Sequence, residues 1–183
     1  DFSDELEASV ISANYSRYVV DLNRSSEDIK LYEDQKSTGL CPLKTFSNKN
    51  IYTPKSNINA DELNQRIASY WSPYHEKIKA VLNQKKIEFG YALLWDAHSI
   101  KTYVPDLFDG KLPDLNTGTN SGQSCPLEIE EAVTGIASES NYSSVSNQRF
   151  KGGFITRHYG VPQDQIYAIQ LEIAQSCYMN EYL

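Results

Sequence analysis

The stretch "YALLWDAHSI" (91–100) indicates the fold class, because it joins an unbroken apolar run to an aspartate and a histidine. A short apolar run after a glycine is typical of a strand that is buried on both faces in an α/β sheet. Asp96 and His98 follow at the far end of this predicted strand. Open α/β sheets bind ligands outside the carboxyl ends of their strands, so the stretch predicts both a strand and part of a functional site.

A long amphipathic helix is predicted before this strand. Asn59, with Glu62 three positions later, is the pattern of a helix start, and Gly90 is a typical helix stop. Pro73 should kink the helix or divide it. The apolar residues between them recur at three- and four-residue steps: Leu63, Ile67, Tyr70, Trp71, Tyr74, Ile78, Val81 and Leu82. The order strand, helix, strand predicts an α/β domain.

Three other segments are predicted to be strands, namely "YSRYVVDL" (15–22), "GFITRHYG" over 153–158 and "IYAIQLEIAQ" over 166–173. In the last of these, alternation places Glu172 on a face where a buried strand would normally carry an apolar side chain.

The region 101–150 is rich in turn residues and has only a weak helical pattern near 127–138. A loop of this length within a compact domain usually carries function.

Composition excludes several classes of protein. The 183 residues are 40% hydrophobic and 22% charged, which predicts one globular domain over 1–183. A net charge of -7 argues against nucleic-acid partners, and no run approaches the roughly 18 apolar residues of a membrane helix. The three cysteines are odd in number and lack the spacing of a zinc or disulfide framework, so we expect reduced thiols in a soluble, cytoplasmic protein.

The predicted strands carry unusual polar residues near their carboxyl ends: Arg17, Asn23, Arg24, Asp96, His98, Arg157, His158 and Glu172. Each of these has an ordinary explanation by itself, as a hydrogen-bonded histidine, an ion-paired carboxylate or a surface arginine. Together they suit one task. A histidine held by a carboxylate can bind a metal, a second carboxylate can activate water, and arginines can bind a dicarboxylate substrate. The combination predicts hydrolysis of an amide on an acidic amino acid.

Six stretches are long and unusual in composition: "SRYVVDLNR" (16–24), "YWSPYH" (70–75), "DAHSI" (96–100), "PDLFDGKLPDLNTGT" (105–119), "FKGGFITRHYG" (150–160) and "AIQLEIAQ" (168–175). In this order they resemble the N-formylglutamate amidohydrolases, also called N-formylglutamate deformylases. The resemblance covers most of the chain. It implies a fold like that of the zinc-dependent carboxypeptidases (phosphorylase/hydrolase-like), with a mixed, mostly parallel sheet flanked by helices, and it extends in part to the aspartoacylases.

The resemblance also implies roles for the polar residues. Arg17, Asn23 and Arg24 correspond to the group that binds the substrate carboxylate and the oxyanion. His98 corresponds to a ligand of zinc or another divalent metal, with Asp96 beside it. Arg157 corresponds to a second carboxylate clamp, and Glu172 corresponds to the general base. Asp96 and His158 are candidates for supporting the metal ligand or for an additional ligand.

The expected reaction is zinc-dependent hydrolysis of N-formyl-L-glutamate, a late step of histidine breakdown. Two alternatives stay open: a hydrolase acting on another N-acyl acidic amino acid or small amide, and a binding module that has lost the metal. The family-like strand that ends in a histidine should lie before residue 16, but residues 1–14 contain no histidine. We therefore expect an N-terminally truncated chain that lacks the first strand and part of the metal site. The expected partner is a small acidic amide, and the sequence leaves the oligomeric state open.

Overall fold

The structure is a computed structural model that describes residues 2–29, 38–45, 48–53 and 56–181. The helices are α1 (Phe2–Glu5), α2 (Ala60–Arg66), α3 (Ser72–Phe89), α4 (Leu127–Glu139) and α5 (Phe154–Tyr159). The strands are β1 (Ala92–Ile100), β2 (Leu115–Gly118), β3 (Ser144–Ser146) and β4 (Ile166–Ala174). Within these ranges no helix is both long and apolar enough to cross a membrane.

The four strands form one mixed sheet in the order β1-β4-β2-β3. β4 pairs in parallel with β1 and antiparallel with β2, and β2 pairs in parallel with the short β3. The predicted mixed, mostly parallel sheet is therefore confirmed. The parallel register places His98 of β1 beside Glu172 of β4, and Asp96 beside Gln170.

The helix before β1 begins and ends where the sequence predicts. The Asn59 side chain accepts a hydrogen bond from the Glu62 backbone N–H at 2.9 Å, and Gly90 ends α3 in the left-handed conformation at φ 82°. Between α2 and α3 the chain makes π-helical turns over Ile67–Trp71. Pro73 follows directly, and because it has no N–H and its ring crowds the preceding turn, a local widening of the helix accommodates it.

The core lies between this helix and one face of the sheet. Its buried members are Ile78, Leu82, Ala92, Ile155 and Tyr159. Alternate residues of β1 point the other way, and Leu93 and Trp95 are 46% and 38% exposed. The prediction that β1 is buried on both faces is thus wrong, since β1 is an edge strand of the described sheet with only its inner face in the core.

His75 fastens α3 to two other segments. Its Nδ1 lies 2.9 Å from the Tyr159 hydroxyl, and its Nε2 lies 3.0 Å from the Leu22 carbonyl oxygen. Burial lowers the pKa of His75 to about 4, so the ring is neutral at pH 7 and Nε2–H donates to the carbonyl. The chain near Leu22 is thereby held against the helix.

Two predicted strands have other structures. The segment 15–22 forms turns, because the Asp21 carboxylate accepts a hydrogen bond from the Asn23 N–H and backbone bonds close turns before and after it. The segment 153–158 forms helix α5, which starts after two glycines and ends at Gly160. β-branched and aromatic residues favour a strand there, but their burial against β4 and β1 is achieved by a helix.

The region 101–150 is not one long loop. It contains β2, α4 and β3, and α4 coincides with the weak helical pattern near 127–138. The three cysteines, at 41, 125 and 177, are free thiols.

Candidate functional site

The candidate site lies on the inner face of the sheet, near the carboxyl ends of β1 and β4. Alternation along β1 puts Asp96 and His98 on this face, and the register with β4 brings Glu172 beside His98. Asp96 is 8% exposed and Glu172 is 9% exposed. Two carboxyl groups and an imidazole thus share a largely buried surface, which is costly unless they interact with one another.

Burial is the main reason why the pKa of Glu172 rises to about 7. The charges of His98 and Arg17 act in the opposite direction, and the charge of Asp96 adds to the rise. A carboxyl group with a pKa near neutrality can take up a proton and give it back at physiological pH, which is the requirement for general acid–base catalysis.

His98 is held by a hydrogen bond to Asp96, and the Asn23 amide contacts the same ring nitrogen. Its Nε2 lies 2.8 Å from Asp96 Oδ1 and 3.2 Å from Asn23 Nδ2. A carboxylate can only accept, so Nε2 carries a proton in its contact with Asp96, and the approach of the Asn23 NH2 group, which is also a donor, is a packing contact. Burial lowers the pKa of His98, but the hydrogen bond and charge of Asp96 outweigh it, and the net effect is a raised pKa. The site therefore favours a cationic imidazole with Nδ1 turned away from Asp96.

Asp21 organises the segment that carries the arginines, and the sequence analysis missed it. Its Oδ2 accepts from Arg17 Nη2 at 2.5 Å, and its Oδ1 accepts from the Asn23 backbone N–H at 3.0 Å. Arg24 Nε lies 3.8 Å from the same carboxylate. The signal was present in the sequence, because Asp21 has arginines four residues before it and three residues after it. In the structure Asp21 is only 5% exposed.

Arg24 has the chemistry of an anion-binding residue. Its Nε is buried and has no hydrogen-bond partner among the described residues. The Trp71 indole N–H donates to the Arg24 carbonyl oxygen at 2.9 Å and fixes its backbone. A guanidinium N–H that is shielded from water and lacks an acceptor is a favourable partner for a carboxylate.

The residues predicted on α5 divide between the site and the outer surface. Arg157 Nε donates to the Gly152 carbonyl oxygen at 2.8 Å, next to the turn that contacts Asn23. His158 is exposed and stacks on Phe154 with the ring centroids 4.8 Å apart. The structure therefore brings Asn23, Asp96, His98 and Glu172 together but places His158 away from them.

The described residues do not by themselves form a zinc site. Catalytic zinc takes about three protein ligands, and within the described ranges no group of three His, Cys, Asp or Glu side chains could hold a metal. His75 is engaged with Tyr159 and Leu22, so His98 is the histidine that this site can offer.

Comparison with known proteins identifies the family. Residues 1–179 match the N-formylglutamate amidohydrolase family. The chain belongs to this family. It is 50% identical over 182 residues to an N-formylglutamate deformylase of Pseudomonas aeruginosa, a match that covers 99% of this chain and 68% of the relative. An N-formylglutamate deformylase of Pseudomonas putida is 47% identical, with the same coverage of both chains.

Two solved structures share the fold. A crystal structure of an N-formylglutamate amidohydrolase from Ralstonia eutropha matches 92% of this chain with a TM-score of 0.79 at 22% identity. A gene product of Agrobacterium tumefaciens matches 92% of this chain with a TM-score of 0.65 at 17% identity. The chain spans 66% and 61% of the length of these two structures.

Zinc binding is the first property of the site to test. With His98 as the histidine available, we expect the 183-residue chain to bind zinc far more weakly than a complete site, whose binding free energy is on the order of 10 kcal/mol or more. A competitive chelator titration of the chain and of its His98→Ala variant measures this. Tight stoichiometric binding that the variant abolishes would overturn the expectation and show that further ligands assemble around His98.

Proposed function

We propose that the chain hydrolyses N-formyl-L-glutamate to formate and L-glutamate. Membership of the N-formylglutamate amidohydrolase family supports the proposal, as do relatives at 50% and 47% identity that are named as deformylases of this compound. The observation that carries it is the buried Glu172 beside His98, with a pKa of about 7. This is the arrangement that amide hydrolysis needs for moving a proton.

Glu172 acts as the proton carrier in this proposal. Its carboxylate takes a proton from a water molecule as the water oxygen bonds to the formyl carbon, which gives a tetrahedral intermediate. The same carboxyl group then gives the proton to the amide nitrogen as the carbon–nitrogen bond breaks. Formic acid and the amine of glutamate are formed, the acid proton passes to the amine to give formate and the ammonium form of glutamate, and Glu172 returns to its ionised form.

His98 supplies positive charge to this reaction. Asp96 keeps the imidazole protonated at Nε2, and the Asn23 amide packs against the same nitrogen. A fixed cation in a largely buried site stabilises the negative charge that develops on the formyl oxygen. Asp96 itself is secured by the Thr156 hydroxyl, which lies 3.3 Å from Asp96 Oδ2.

The arginines bind the two carboxylates of the substrate. Arg24 offers its guanidinium, whose Nε makes no hydrogen bond among the described residues and lies 3.8 Å from Asp21 Oδ2. Arg17 is hydrogen-bonded to Asp21 and Thr38, and so fixes Asp21 as well as adding charge. Arg157, in the last turn of α5, is proposed as the second clamp. Binding a dicarboxylate at these points sets the formyl group on the Glu172 side of the site.

Three finer points are also part of the proposal. Zinc or another divalent metal would be bound through the neutral form of His98, because the cationic ring has no free lone pair, and it would then supply the positive charge in place of the imidazolium. The reaction would serve histidine breakdown, as the resemblance implies. The free thiols at positions 41, 125 and 177 support a reducing, cytoplasmic compartment.

Replacing Glu172 by Gln tests the general base. We expect kcat for N-formylglutamate to fall by on the order of 100-fold or more, because the amide cannot take the proton from water. In the unchanged chain, kcat/KM should rise as pH increases through about 7, where Glu172 ionises. Formate release measures both quantities, with Glu131→Gln on the exposed face of α4 as the matched control. Equal turnover of Glu172→Gln and the control would contradict the assignment.

The same variant should be more stable than the unchanged chain at high pH. Between pH 4.5 and about 7 the folded state holds a proton on Glu172 that the unfolded state has released, so this group's contribution to stability is lost as pH rises. Glu172→Gln removes that loss. We expect its free energy of unfolding to exceed that of the unchanged chain by about 1–3 kcal/mol at pH 8, and we expect this difference to disappear below pH 4.5. Urea unfolding at the two pH values checks the difference.

Replacing Arg24 by Lys tests the carboxylate clamp. We expect KM to increase about tenfold or more with a smaller effect on kcat, because a lysine ammonium cannot reproduce the planar contact of a guanidinium with a carboxylate. Arg149→Lys makes the same change at an exposed position and should leave KM unchanged. If both variants keep the original KM, the substrate carboxylate binds elsewhere.

A further inference from the structure

Gln170 is a buried amide on the same face of β4 as Glu172. It is 4% exposed, and the parallel register places it beside Asp96. On this face of β4 it lies between Ala168 and Glu172. Burying an amide at such a position costs free energy unless it makes hydrogen bonds, so its contacts indicate its purpose.

The Gln170 side chain holds the turn that leads into α5. Its Oε1 accepts a hydrogen bond from the Gly153 backbone N–H at 2.7 Å. The preceding residue, Gly152, has a left-handed backbone at φ 110°, and its carbonyl oxygen accepts from Arg157 Nε. The turn is therefore fixed from β4 on one side and from α5 on the other.

The turn at Gly152 and Gly153 fixes the position of the Asn23 side-chain amide. A Cβ atom at Gly153 would overlap the Asn23 side-chain amide, so the glycine backbone lies in direct contact with that group. Asn23 Oδ1 accepts from the Ile155 backbone N–H at 2.8 Å, two residues further along. These two contacts decide which end of the amide faces His98, and they place Nδ2 3.2 Å from His98 Nε2.

We propose that Gln170 is a positioning residue that sets the orientation of the His98 ring through Gly153 and Asn23. The effect on catalysis rests on the proposed function. The contact series itself, from Gln170 through Gly153 and Asn23 to His98, does not. Gln170 touches no reacting atom in this assignment. It keeps the Gly153 turn against Asn23, and the Asn23 amide then packs against Nε2, the ring nitrogen that also donates to Asp96.

The test uses two variants that break the series at different points. Gln170→Met has a similar volume but no acceptor for the Gly153 N–H, and Gly153→Ala displaces the Asn23 amide while leaving Gln170 intact. Gln148→Met makes the same chemical change at an exposed position. The readout is the nitrogen chemical shifts of the His98 ring in the folded, substrate-free chain, followed by kcat and KM for N-formylglutamate.

We expect the His98 ring signals to move in both site variants and to stay unchanged in Gln148→Met. For turnover we expect kcat to fall about ten- to a hundredfold with KM within about twofold of its original value. The double variant should lose no more than the worse single variant, because both changes act on one contact series. Unchanged His98 signals in Gln170→Met would overturn the proposal.

The experiment distinguishes failure of the proposed hydrolysis of N-formylglutamate from failure of the proposed positioning role of Gln170. If the unchanged chain has no turnover with N-formylglutamate, the proposed function fails, while moved His98 signals in the two site variants still support the positioning role. If Gln170→Met does not fold, Gly153→Ala gives the same ring measurement, and unchanged signals in that variant overturn the proposal equally.

Discussion

A histidine and a glutamate stand side by side on two parallel strands of this protein, on the face that the helices cover. Burial makes the charged form of Glu172 costly, and the nearby carboxylates make the charged form of His98 favourable. The pKa of each group is therefore raised above its ordinary value, that of Glu172 to about 7. Contacts from the turns near Asn23, from the short helix α5 and from the long helix α3 position the residues around His98 and Glu172.

The segment around Asp21 has no regular secondary structure, yet hydrogen bonds fix its backbone conformation. The Asp21 carboxylate binds one arginine and the Asn23 backbone N–H, while His75 and Trp71 of the long helix fasten the carbonyl oxygens of Leu22 and Arg24. The result is a set of turns whose side chains reach the sheet. Rigid support of this kind is what allows a loop to carry binding groups.

Sequence reasoning found the parts of the site that depend on local pattern. β4 and the helix before β1 follow from periodicity and end signals. Asp96, His98 and Glu172 were predicted to gather near the carboxyl ends of their strands, and the structure places His98 beside Glu172 there. It failed where tertiary contacts override local preference. The apolar segments at 15–22 and 153–158 have strand-like composition, but a carboxylate-centred turn and a pair of glycines give them other structures. Gln170 was missed because its importance lies in a contact with the distant residue Gly153, whereas Asp21 was missed although its arginine partners are close to it in sequence.

The pKa of Glu172 is the most direct test of its proposed role as the proton carrier. Carbon-13 NMR of the side-chain carboxyl groups, with the Glu172 signal identified by its loss in Glu172→Gln, follows this group through a pH titration of the folded chain. We predict a titration midpoint of about 7 for Glu172. A midpoint near the usual 4.5 would show that Glu172 is not held in a buried, charge-coupled site, and would contradict its role as the proton carrier.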